Sequence, residues 1–143
     1  RYIMVILKSI KQYQANSNNN ILDASPHMLI SIIYQHIIGN LAATKGAIER
    51  KSIEEKGKHI NKVIGLIGEL TNSLNMEDGG DISTNLASLY DYSLRKLIEV
   101  HTGGNVEILN EISLIFIDLK SGWDSISEQQ YLNSSQKSVA ASI

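Results

Sequence analysis

The chain has 143 residues, 43% of them hydrophobic and 20% charged, with a formal net charge of −2 and no cysteine. That length suits one domain with a proper core, and the composition is too apolar for general disorder. The charge balance makes nucleic acid a poor main partner. The missing cysteine excludes disulfides, thiolate nucleophiles and thiolate metal sites, and fits a reducing cytosol.

At the start, "RYIMVIL" is apolar but short, and no small-residue cleavage site follows it, so no secretory signal is expected. No apolar run approaches the roughly 18 residues that a membrane span needs. Residues 4–14 read as a short helix or an extended plug, which look alike at this length, and "ANSNNN" reads as a polar joint. Ser25 followed by Pro26 is then a strong helix start, an N-cap with proline at the first helical position. The first long helix carries Leu29, Ile30, Ile33, Ile37, Leu41 and Ile48 at helical spacing.

Ser52 and Glu55 form an S-x-x-E capping box for a second helix, whose apolar stripe is Ile53, Ile60, Val63, Ile64, Ile67, Leu70 and Leu74. "NMEDGGD" breaks the pattern: Gly79 and Gly80 suit a left-handed turn, and Asp81 is placed to cap a third helix. That helix contains "SLYDYSLRKL" and ends near "HTGGN". At about 100° per residue, Leu86, Leu89, Tyr90, Leu94 and Leu97 gather on its core side, while Tyr92 falls on the opposite side near Arg95. Asn105 caps a fourth helix, with Ile108, Leu109, Ile112, Ile115, Phe116, Leu119 and Trp123 on one face. The core is therefore expected to include Leu86, Leu89, Tyr90, Leu97, Phe116 and Trp123.

No segment shows strand alternation and the connections are short, so neighbouring helices should pack antiparallel. The expected fold is all-α, an up-down four-helix bundle over residues 21–127. Residues 1–20 form a preceding segment packed on it, and the Ser/Gln-rich residues 128–143 a disordered tail.

Enzyme chemistry finds no support. The histidines His27, His36, His59 and His101 sit on different helices or their ends, with neither an H-E-x-x-H pair nor the E-x-x-H spacing of di-iron bundles. A phosphotransfer histidine would need a nearby lysine and a small residue; "HIIGN" at His36 supplies only the small one. The two Gly-Gly pairs belong to no phosphate-cradling loop, and no metal or cofactor is expected. What stands out is apolar or small residues where a plain bundle is polar. Met28, Ile32, Gly39, Ala43 and Gly46 form an outer strip on the first helix, Leu114 and Ile117 project outward on the fourth, and Gly57, Gly65 and Gly68 share a flank of the second. Ordinary packing explains such residues one by one. Together they favour a protein that binds an amphipathic helix or an extended apolar segment, and Tyr92, apolar in body and polar at its tip, suits that surface. A plain homodimeric interaction module and a phosphorelay bundle are the competing readings.

"NNNILDASPHMLISIIYQ", "LNMEDGGDISTNLASLYDYSLRKL" and a fourth helix ending in tryptophan resemble the flagellar secretion chaperone FliS family, the export chaperones of flagellin. The ordered set Tyr13-Gln14, Ile21-Leu22, Ala24-Ser25-Pro26, Tyr34, Gly79-Gly80 and Asn85 through Leu97 carries the resemblance, over about Tyr13 to Ile126. The chain departs from the family pattern at Gln35-His36, usually Asp-Gly, and at Ser93, which tends to be methionine. The resemblance implies a cytoplasmic chaperone that holds the disordered C-terminal region of flagellin, prevents premature polymerisation and aids delivery to the type III export apparatus. An export-gate component and a co-chaperone would be further partners. It implies client contacts at Met28, Ile32, Tyr34, Ala43, Tyr92, Leu114 and Ile117. It also implies that Ile10, Tyr13, Ile21 and Leu22 cover the site when flagellin is absent.

Overall fold

A computed structural model of the chain describes residues 25–74 and 79–126. The expectations placed on Ile10, Tyr13, Ile21, Leu22, the N-terminal segment and the C-terminal tail lie outside these residues. Four helices make up the described part: α1 (Pro26–Glu49), α2 (Ile53–Ser73), α3 (Gly80–Gly103) and α4 (Val106–Ser125).

The helix ends follow from local chemistry. Ser25 Oγ accepts the Met28 N–H at 3.2 Å and Pro26 opens α1, satisfying a donor that the first turn cannot pair internally. Asn105 Oδ1 accepts from both the Glu107 and Ile108 N–H groups at the start of α4. At the start of α2 only half of the expected capping box forms. Ser52 Oγ accepts the Glu55 N–H, but the Ser52 N–H bonds to the Ala47 carbonyl at 2.9 Å and the Glu55 carboxylate turns to His59. The Ser52 donor is taken because α1 ends in a Schellman-type turn with Lys51 at φ 59°. Asp81 does not cap α3: the cap position is Gly79, without a side-chain bond, and Asp81 lies inside the first turn, where its charge complements the helix dipole. Gly80 takes the left-handed conformation at φ 53°, and Gly79 does not.

Consecutive helices run antiparallel. α1 packs against α2 and α4, and α3 packs less extensively against the same two. The core between them is built from Ile33, Ile37 and Leu41 of α1, Ile60, Val63 and Ile67 of α2, Leu97 and Val100 of α3, and Leu109, Ile112 and Phe116 of α4, with Leu86, Leu94 and Trp123 packed at its edge. Each fully buried side chain of this size contributes about 1.5–3 kcal/mol. Leu89 is not in the core; it is 36% exposed. The buried stripe of α3 centres on Tyr90, Ser93 and Leu97, and Leu89 lies on its edge. Ile53, assigned by periodicity to the inner stripe of α2, is 78% exposed, because it is the first residue of its helix and no further turn covers it.

The diagonal helices α1 and α3 meet through two tyrosines. The hydroxyls of Tyr34 and Tyr90 lie 2.7 Å apart, and the Tyr90 ring stacks parallel to Phe116 at 6.2 Å. Burial raises the pKa of both phenols above the ordinary value, so both remain neutral partners. Beside them Ser93 is fully buried and its Oγ has no hydrogen-bond partner. Such an orphan hydroxyl costs about 1–3 kcal/mol.

Candidate functional site

The outward faces of α1 and α4, two helices that pack on each other, carry the apolar residues singled out from the sequence. Met28 is 52% exposed on α1, and Leu114 and Ile117 are 61% and 45% exposed on α4. Ile32 and Ala43 are half-buried. Between them Gly39 faces open space, with nothing within 4 Å of where a Cβ would stand. The strip is thus apolar at its head and shallow further along. No carboxylate or ammonium interrupts it on α1 from Met28 to Ala43, so an apolar segment could lie along it without burying a charge.

Tyr34 does not belong to this surface. It is 2% exposed and bonded to Tyr90, because position 34 shares the inner stripe with Ile37 and Leu41. A partner cannot touch it without opening the core.

Tyr92 stands apart, in the seam between α3 and α4. Its hydroxyl donates to the Glu111 carboxylate of α4, and the Lys96 ammonium lies 5.6 Å from its ring centre. The bond to Glu111 raises its pKa. Arg95 pairs with Asp91 at 3.1 Å in full solvent, a contact of little energetic weight.

The glycine flank of α2 is only partly a contact. A Cβ on Gly57 would meet His101 of α3 at 3.4 Å, whereas Gly68 faces open space.

Sequence reasoning missed a fastening at the end of the bundle where α1 begins and α4 ends. His27 and Trp123 stack at 5.0 Å; the Trp123 indole N–H donates to the His27 carbonyl at 2.8 Å, and His27 Nε2 lies 3.0 Å from the Trp123 carbonyl. One turn on, Ser31 donates to Asp124 at 2.5 Å, and Lys120 holds the other carboxylate oxygen at 2.6 Å. These bonds keep the Asp124 carboxyl below its usual pKa. The partners are more than ninety residues apart in the chain, so no local pattern announces them.

A second cross-helix set links α1 to α2. His59 Nδ1 lies 2.9 Å from Asn40 Oδ1, and Asn40 Nδ2 donates to the His36 carbonyl at 2.8 Å. Desolvation, and then the Lys62 charge, lower the His36 pKa. That lysine is contributed by α2, which is why "HIIGN" by itself lacked one. Among the described residues no group of three or more His, Asp or Glu side chains is arranged to hold a metal ion. No described helix is long and apolar enough to cross a membrane.

A family model described as flagellar protein FliS matches residues 9–130. A flagellar secretion chaperone FliSB of Pseudomonas aeruginosa is 42% identical over 125 residues, covering 87% of this chain and 99% of that protein. A flagellar secretion chaperone FliS of Vibrio cholerae is 32% identical, covering 82% of this chain and 88% of that protein. A crystal structure of a bacterial flagellar chaperone shares the fold at a TM-score of 0.67 and 19% identity, over 82% of this chain and 95% of that one.

Proposed function

The chain belongs to the FliS family of flagellar proteins and is a flagellar export chaperone, not an enzyme; from that premise we propose that its client is the C-terminal segment of flagellin, bound in the cytoplasm on the outward strips of α1 and α4. The observation that carries the reading is the set of exposed apolar residues on two helices that pack together, Leu114 and Ile117 on α4 and Met28 on α1. A monomer gains nothing by leaving such residues in water, whereas an amphipathic segment laid along them buries its apolar face. Ordering a disordered client costs several kcal/mol, so a long surface is needed to offset it. A strip from Met28 to Ala43, about 22 Å at 1.5 Å per residue, has that length. Occupying the client's apolar face keeps it from other subunits until the export apparatus takes it, with no nucleotide consumed.

Calorimetry with a peptide covering the C-terminal segment of the source organism's flagellin tests this. Saturable binding near one to one with a negative heat-capacity change is expected. Leu114→Asp with Ile117→Asp should weaken it at least about tenfold, since a desolvated charge costs more than the corresponding 1.4 kcal/mol. Ile32→Asp and Tyr92→Ala tell whether the site runs along the α1 strip and into the α3 seam. Unchanged binding in the α4 variant moves the site, and a folded chain that ignores the peptide ends the reading.

A further inference from the structure

At the opposite end of the bundle from the His27–Trp123 fastening, the α1–α2 turn and the α3–α4 turn enclose a small pocket. It is lined by Ala47, Ile48, Ile53 and Gly104 together with Ser52, Lys51 and Lys56. No carboxylate lines it, although Glu54 and Glu55 stand in the first turn of α2; Glu55 points to His59 at 3.4 Å. Ile53 is left in water at its mouth. Lys51 is held in the left-handed region at φ 59°, which residues other than glycine rarely adopt.

Two lysines beside apolar lining residues, with no carboxylate in the lining itself, complement one kind of group: a carboxylate carried directly beside an apolar side chain. The end of a polypeptide has that chemistry. We propose that this pocket takes the free α-carboxylate and the last apolar side chain of the client, so that the chaperone recognises a chain terminus and not an internal segment. The proposal rests on the reading that the client is a C-terminal segment. Electrostatic complementarity of this kind fixes register and direction more than it adds raw affinity.

The experiment compares the flagellin C-terminal peptide as its free acid and as its C-terminal amide, on the full chain and on Lys51→Gln/Lys56→Gln. The acid should bind the wild type about fivefold tighter than the amide, the size expected for a solvent-flanked charge pair. The gap should shrink as salt is raised and vanish in the double variant. Equal binding of acid and amide to the wild type overturns the proposal while leaving the chaperone reading intact, and needs no variant to fold. A gap that persists in the double variant also overturns it, since the terminus then docks elsewhere. If neither peptide binds the folded wild type, the client reading has failed and this inference falls with it.

Discussion

Two phenol hydroxyls facing each other at 2.7 Å inside a hydrophobic core satisfy one another where nothing else could, and that mutual dependence sets what a substitution does. Tyr34→Phe leaves the Tyr90 hydroxyl buried and unpartnered, which should cost about 1–3 kcal/mol. Tyr34→Phe/Tyr90→Phe removes both groups and should be less destabilised than the sum of the two single changes. Urea unfolding of the four proteins gives the coupling energy; additive losses would mean that the bond contributes nothing. The same residue shows how far one side chain could be read in advance. Helical position already placed Tyr90 inside. Tyr34, which the family resemblance offers as a client contact, lies on the same kind of stripe in α1 and is buried. Tyr92 was placed outside correctly, but its bond to Glu111 depends on a residue of another helix.

At the scale of elements, the two turns at one end of the bundle solve the same problem with different residues. α3 ends at Gly104, φ 66°, whose N–H bonds to the Val100 carbonyl at 2.8 Å; α1 ends with a lysine in the same region. The space around Gly104 is open, so a methyl group there meets no neighbour and only the backbone resists it. Gly104→Ala should therefore cost about 1 kcal/mol, seen as a lower urea midpoint with an unchanged slope. A midpoint equal to that of the wild type would show that the turn relaxes freely. Helix identity and ends were legible because caps and breakers are local signals: Ser25-Pro26, Ser52 and Asn105 each act within a few residues. The Asp81 cap failed because a glycine pair immediately upstream let the chain enter the helix one step earlier than the acidic residue.

For the whole molecule, acid is the informative variable. His36 has a folded-state pKa below its ordinary 6.5, so on acidification the unfolded chain protonates first and stability falls below about pH 6.5. Asp124, depressed below 3.8, contributes stability that is present above that value and is lost as pH falls further. The two losses occur in separate windows. Stability measured by urea unfolding should begin to decline as pH falls below about 6.5, and His36→Gln should flatten that first decline without changing the loss below about pH 4. An identical profile in the variant would assign the first window to another group.

Length, periodicity and capping residues were enough to specify four helices, their order and their antiparallel path, because each of those rests on interactions within a few residues of chain. The outward placement of Met28, Leu114 and Ile117 was also settled by helical period. Only the tertiary structure decided which edge residues are buried, leaving Leu89 and Ile53 in water and drawing Tyr34 inside. It alone joined His27 to Trp123, Lys62 to His36, and the two lysines to an apolar pocket between distant turns. Those outcomes depend on how closely each helix pair packs and on which side chains meet across it, and a one-dimensional period carries neither quantity.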